Sequence, residues 1–561
     1  MGIGRNTFTQ NNVITIKESK NNVISFFCDR ISKDMMDRSI KTKRILIDIA
    51  ILVGIFLFAL ISFLVFKPLF FNNNTNLGSV HGVPARMFIF MGIITLIIVG
   101  VVLKLYGKLS FETLLFLIFL LGVLLQLNYM LITPVEYTGR QHDVFDGYSH
   151  AGHEDYAWTL YTTGKLPTRV DENGYLAYQF YHPPFNALMQ AAFMHISKPL
   201  MQAVNAIVGK TVYDVSDMNV MFQTSEVLAT FYMNIAIYFG IKIAYRLKID
   251  NKFKISAACF IALFPVLFIE AGQMNNDPLC IMNCFVVIYF TIRWCENHSY
   301  FNAVMIGLFT GLATFAKLSG ALIAVPALVM FIYTIILSIK NKDRFSHYFI
   351  QGGIIAIVAL PLGLWFHIYA KINFNQPFGF VFSNLNNDLY VGDHSFFERF
   401  INIFDFSDMS TAVWGNTFVN YNLPNFLIKS SLFGEYSFIC SDALAVLALA
   451  FNYLFVYLSL ILFVIYFVYS KKEHLEIKII GGVIVLSQLL AQLYFNIKMP
   501  YGCTMDFRYI VPIILGFMIL NALAFDKFSK EKSWRKYYSL AVLFVGALLI
   551  STVSLFYLTA I

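Results

Sequence analysis

The sequence predicts an all-α protein, a polytopic transmembrane helical bundle of about 13 spans, and three observations carry that expectation. Hydrophobic residues make up 58% of the chain and charged residues only 13%, where ordinary soluble domains carry about 25% charge. Apolar runs repeatedly reach the roughly 20 residues that cross a bilayer, and a helix satisfies its own backbone there. The Lys and Arg residues gather in alternate loops, as the positive-inside rule requires. The net charge of +8 therefore records topology and gives no reason to expect nucleic acid as a partner. No polar stretch is long enough for a soluble domain, and the seven cysteines form no CxxC pair of the zinc-ribbon or redox kind.

Residues 1–44 read as a basic cytoplasmic arm, too long and polar at its start for a signal peptide, with Lys41, Lys43 and Arg44 against the first apolar run. Spans are expected near 45–67, 87–106, 109–133, 223–246, 255–271, 278–294, 302–317, 320–339, 349–370, 440–469, 477–497, 508–525 and 537–560. Two of them, within 45–107, stand ahead of the main region 108–561. This assignment puts Lys104/Lys108, Arg246/Lys248/Lys252/Lys254, Lys340/Lys342/Arg344, Lys471/Lys472 and Lys527/Lys530/Lys532/Arg535/Lys536 on the cytoplasmic side and the C-terminus outside. The apolar segment 184–197 is short, contains His195 and follows Pro183. Were it to cross, every later basic loop would change sides. It is expected to lie along the outer interface, inside a large external loop over 134–222, with a second such loop over 371–439.

The chemistry sits in what interrupts the apolar pattern. Segment 139–156 sets three histidines and four acids between two greasy runs. Asp143, beside His142 and close to Arg140, follows a span directly. A carboxylate near an apolar wall and a cation can be tuned into a general base; it can equally cap a helix or pair with Arg140. Asp146, His150 and His153/Glu154 would share one helix face, as ligands of a divalent metal would, although Gly147 and Gly152 argue against a continuous helix. From Glu154 to Leu166 the aromatic spacing suggests an amphipathic interfacial helix ended by Gly164. Further polar groups stand at the outer ends of spans: Asn276 and Asp277 in Asn275-Asn276-Asp277-Pro278, Lys317 after Phe315-Ala316, and Arg508 with Tyr509. A lone cation there often only snorkels, but cations on one side suit a lipid phosphate and carboxylates there suit activation of a hydroxyl. Asn73-Asn74-Thr75 is a sequon on an expected external loop, and Cys440 and Cys503 both fall near external span ends, where they could pair.

Taken in order, these pieces resemble the GT-C superfamily of integral-membrane glycosyltransferases, within it the protein O-mannosyltransferase and lipid A aminoarabinose transferase branch. The matching pieces are the acidic segment after an early span, His153–Tyr156 with Gly164-Lys165-Leu166-Pro167, His182-Pro183-Pro184-Phe185, Asn276-Asp277-Pro278, Gly311–Lys317 and Arg508-Tyr509, covering about 109 to 525. Two departures stand out. Ser149-His150 occupy the place where many relatives carry Asp-Glu, and the spans within 45–107 are additional.

The resemblance implies a GT-C-like bundle with amphipathic juxtamembrane helices in a large external loop. It implies inverting transfer of a sugar from a polyprenyl-phosphate donor to an acceptor hydroxyl on a protein, a polymer or another lipid, at the outer face. Asp143 is then the expected base, with Asp146 and Asp155 as fallbacks; Lys317 and Arg508 would meet the donor phosphate. Arg140, His142, His153, Glu154, His182, Asn276, Asp277 and Tyr509 complete the expected binding set, with membrane lipids around it. A bacterial plasma membrane is the expected location. Two other classes stay open: a transporter or lipid flippase using the same charges, and a non-catalytic scaffold related to these enzymes.

Overall fold

The computed structural model describes residues 45–66, 83–133, 152–342, 345–381, 390–404, 421–436, 438 and 441–559. Arg140, His142, Asp143, Asp146, the sequon at Asn73 and Cys440 therefore lie outside the described residues. The chain divides into two compact units, residues 1–58 and 59–561.

Among the described residues the secondary structure is helical, with only isolated bridges such as Val170 to Leu176 besides. The long apolar helices are α1 (Ile45–Phe66), α2 (Val83–Leu105) and α3 (Phe111–Ile132). Two helices follow in the first large loop, α4 (His153–Thr163) and α5 (Phe185–Val208). Then come α6 (Met218–Gln223), α7 (Ser225–Arg246), α8 (Asn251–Leu263), α9 (Val266–Ile269), α10 (Asp277–Glu296), α11 (Tyr300–Ala316), α12 (Ala324–Lys340) and α13 (Ser346–Phe374). The chain finishes with α14 (Phe396–Phe400), α15 (Leu423–Phe433), α16 (Asp442–Tyr469), α17 (Leu475–Lys498), α18 (Ile513–Ser529) and α19 (Trp534–Thr559).

Every expected span is helical over its described residues, but the count of 13 is not reproduced. Among the described residues ten helices are long and apolar enough to cross a membrane, and up to 12 if two bent pairs each count as one span. One pair joins Asn251–Leu263 to Val266–Gly272 at 46°, the other joins Gly502–Ile510 to Ile513–Ser529 at 51°. Pro265 and Pro512 stand at these breaks, where a missing N–H and a fixed φ favour a bend. The expected span at 302–317 is α11, a shorter apolar helix. Helix α5 covers the segment 184–197 and is not among the candidate spans.

The core is built around α10, which packs against α7 and α11. Helix α11 lies against α13 through Gly307 and Gly311: a Cβ on Gly311 would stand 3.0 Å from the Cβ of Leu362. This small-residue seam lets two backbones approach where no hydrophobic driving force favours protein over lipid. The loop helices form a satellite core, with Tyr156, Leu160, Leu176 and Phe180 packed on Phe366 and Ala370 of α13.

Candidate functional site

Three chain breaks bring the charged residues together. At the start of α10, Asn275 Oδ1 accepts the Asp277 N–H at 2.9 Å, and Pro278 occupies the first turn, where its missing N–H costs nothing. Asp277 thus enters at the positive end of the helix dipole. At the end of α11, Lys317 leaves the helix in an extended conformation. The chain then turns so tightly that a Cβ on Gly320 would sit 2.4 Å from the Ala313 carbonyl oxygen. Only glycine fits there. Ahead of α18, Asp506 Oδ1 accepts the Arg508 N–H at 2.6 Å and starts a 3₁₀ turn over Phe507–Ile510. Asn276 Nδ2 donates to the Ala316 carbonyl at 3.3 Å, tying the first break to the second.

The outcome is an ion cluster. Lys317 Nζ reaches Asp277 Oδ1 at 2.5 Å and Arg508 Nη1 stands 3.9 Å from Asp277 Oδ2, with the Asp277 and Arg508 side chains each only 5% exposed. Tyr509 backs both cations: Lys317 Nζ lies 4.6 Å and Arg508 Cζ 5.0 Å from its ring centre, and Arg508 Nη2 donates to the Tyr509 hydroxyl at 3.0 Å. Lys317 and Arg508, expected as lone cations at separate span ends, are instead two arms held by one carboxylate. Together they carry more N–H donors than that carboxylate can accept.

This cluster forms one wall of a cavity of about 450 Å³. His153, His182, Asn276, Asp277, Lys317, Arg508 and Tyr509 all line it, so residues far apart in sequence meet at one place. His153 and His182 stack with ring centres 6.0 Å apart. The Tyr156 hydroxyl donates to the His182 carbonyl at 3.2 Å, and Phe185 stacks on Phe315 at 5.0 Å. These contacts seat the first-loop helices beside Lys317. His367 also lines the cavity; sequence reading passed over it, although a lone imidazole inside the apolar run 349–370 was the signal.

Two acids of the first loop stand differently. Asp155 Oδ2 accepts the Gly152 N–H at 3.4 Å at the start of α4. Glu154, next to it, is buried, and its Oε1 meets no hydrogen-bond partner. Burial first, then the charges of Asp155 and Asp217, push its carboxyl up to about 8. Neither acid is among the residues lining the cavity. Helix α4 begins at His153 after an extended Gly152; Asp146 and His150, expected to share a face with His153/Glu154, lie outside the described residues. No group of three or more His, Cys, Asp or Glu side chains able to hold a metal occurs among the described residues.

Fold and site together define a polytopic helical membrane protein with a buried ion cluster at the ends of its spans. No family model and no curated protein matches the chain. Among solved structures it is similar to ArnT from Cupriavidus metallidurans bound to undecaprenyl phosphate, at 13% identity and a TM-score of 0.40, over 78% of this chain and 76% of that one. It is also similar to the oligosaccharyltransferase of Archaeoglobus fulgidus in its apo form, at 14% identity and a TM-score of 0.41, over 78% of this chain. There it spans about half, 55%, of the other protein's length.

Proposed function

We propose that the chain is a glycosyltransferase that takes a sugar from a polyprenyl-phosphate donor and passes it to an acceptor hydroxyl at the outer face of the membrane. The observation that supports this reading is the pairing of Lys317 and Arg508 on Asp277 at the wall of a cavity between the helices. Fixed N–H donors in a water-poor site are what a phosphate leaving group needs. As the bond from the anomeric carbon to the phosphate oxygen breaks, its electron pair goes to the phosphate, and Lys317 and Arg508 meet the charge that develops. Asp277 holds both in place, and Tyr509 limits their swing. The acceptor hydroxyl attacks the anomeric carbon from the opposite side, with inversion, and a carboxylate takes its proton. Asp143, in the segment leading to α4, is the proposed base, with Asp146 as the alternative. Asp155 is the weaker choice because its carboxylate already caps a helix. His153 and His182 would contact the sugar or orient the acceptor, while Arg140 and His142 would support the base. The acceptor is a hydroxyl of a protein, a polymer or a lipid.

The test is transfer itself. Purified protein in lipid nanodiscs, given labelled polyprenyl-phosphate sugars, should release polyprenyl phosphate, and Lys317→Met should lower turnover by about a hundredfold to a thousandfold. Unchanged donor affinity and turnover in both Lys317→Met and Arg508→Met would remove the phosphate site from this cluster. A transporter is the second reading, favoured by the two broken spans. Against it, Asp277, Lys317 and Arg508 stand at the ends of α10 and α11 and in the turn ahead of α18, and not near span centres. Flux of the lipid across liposomes without turnover would establish it.

A further inference from the structure

The cavity wall also carries polar atoms that no step above uses. Gln179 arrives on a 3₁₀ turn over Tyr178–Tyr181, Asn275 on the loop ahead of α10, and His367 on α13. All three line the cavity, and they are only 4%, 3% and 8% exposed. Each holds a buried polar atom without a hydrogen-bond partner: Gln179 Oε1, Asn275 Nδ2 and His367 Nε2. The Asn275 amide is oriented by the Asp277 N–H that its Oδ1 accepts, which leaves Nδ2 as the donor. Buried polar atoms in native proteins are nearly always bonded, so three orphans on one cavity call for a cause.

We propose that Gln179, Asn275 and His367 form a hydroxyl-reading subsite for the transferred sugar, and that this sugar is electrically neutral. The inference rests on the glycosyltransferase reading and deepens it. The three atoms differ in polarity: an amide oxygen accepts, an amide N–H donates, and an imidazole nitrogen does either according to its tautomer. A phosphate would call for donors alone and an ammonium for acceptors alone. A hydroxyl both gives and takes, and suits the mixed set. Among the described residues lining the cavity the one carboxylate, Asp277, is engaged by Lys317 and Arg508, and these two cations disfavour a cationic amino sugar beside them. The same wall offers an apolar face, where Tyr181 meets the Phe380 ring edge-on at 5.6 Å. A pyranose presents the matching pair of surfaces, hydroxyls around its rim and C–H groups on its face.

Binding measured in nanodiscs with four probes tests this: polyprenyl phosphate, polyprenyl-phosphate hexose, the same lipid carrying an amino sugar, and a short alkyl hexoside without phosphate. Gln179→Met and His367→Phe remove the single atoms while keeping size, and Asn275→Ser removes Nδ2 without adding charge and keeps a hydroxyl acceptor for the Asp277 N–H. Each should weaken the hexose lipid and the alkyl hexoside by about tenfold, the equivalent of one hydrogen bond, and leave the sugarless lipid phosphate unchanged. His367→Asn, which restores a polar atom, should recover part of the loss. Equal losses for the sugarless lipid would mark the three as structural and overturn the proposal. So would unchanged hexose binding in all three variants, or preference of the wild-type chain for the amino sugar. If polyprenyl phosphate does not bind at all while the alkyl hexoside still depends on the three residues, the lipid-phosphate reading falls and the subsite stands. If the alkyl hexoside binds without depending on them, the subsite falls whatever the lipid does.

Discussion

Helix α2 is almost wholly apolar, helix α10 carries more polar residues, and the two live in different surroundings. Both pass as membrane spans, yet 6% of the apolar stretch of α2 is buried against protein and 89% of that of α10. Helix α2 touches α3 along one seam, with Gly92 against Leu124, and turns residues such as Met91 and Ile97 outward. Helix α10 has neighbours on nearly every side and spends polar groups on them: Trp294 Nε1 donates to Gln351 Oε1 at 2.7 Å, and Asp277 at its first turn receives Lys317 and Arg508. Hydropathy tells that a helix avoids water. It does not tell whether lipid or protein replaces the water, and only the second can hold a charge in place.

The contrast can be broken or sharpened by substitution, beginning with the largest effect. Asp143→Asn keeps size and hydrogen bonding but removes the proposed proton acceptor. Turnover should fall about a hundredfold to ten-thousandfold with lipid-phosphate binding intact, measured beside Asp146→Asn and Asp155→Asn. Full activity in all three would end the carboxylate mechanism. Asp277→Asn comes next, because it leaves two buried cations facing each other without their anion. Removing one partner of a buried pair costs about 3–5 kcal/mol, so the melting temperature should drop, and adding Lys317→Met should restore part of it. A melting temperature that ignores Asp277→Asn would mean that α10 does not depend on its ion cluster.

Glu154 gives a smaller, pH-dependent effect. Its carboxyl is pushed from 4.5 to about 8 in the fold, so the folded chain holds that proton more tightly than the unfolded one. Stability contributed in this way is complete below the unfolded value and is lost as pH rises through the folded value. Wild-type protein should therefore lose a few degrees of melting temperature relative to Glu154→Gln between pH 5 and pH 8, as thermal unfolding at stepped pH would reveal. Parallel curves would place Glu154 in contact with water. The smallest effect belongs to α2: Met91→Ala and Ile97→Ala should change stability by no more than about 0.5 kcal/mol and leave turnover alone, and a larger loss would mean that protein covers this face.

Much of this was legible in the chain because the signals are local. Apolar runs announce helices, Gly164 ends α4 in the left-handed conformation it favours, and polar residues at Asn276-Asp277, Lys317 and Arg508 stand out against their surroundings. What could not be read is convergence. That Lys317 and Arg508 both gather at Asp277 depends on packing between α10, α11 and the turn before α18, and nothing within each motif encodes it. Asp155 shows the converse. Its position in an acidic cluster suggested chemistry, yet the carboxylate accepts the N–H of Gly152 at the helix start, a use indistinguishable in sequence until that start is known. His367 was hidden for another reason, since one imidazole in a long span reads as a packing residue until a cavity is found beside it.

The 3₁₀ turn at Phe507–Ile510 bears on how this chain can vary. Such a turn advances about 120° per residue, so neighbouring side chains point to different partners: Phe507 toward Phe264, with ring centres 6.4 Å apart, and Arg508 toward Asp277. Replacing a residue there alters one contact. Inserting or deleting one rotates the whole set, and Arg508 would exchange places with an apolar neighbour. The segment between Met505 and Pro512 should therefore accept changes of letter but not of length, whereas loops such as the turn at Gly174 can grow at little cost.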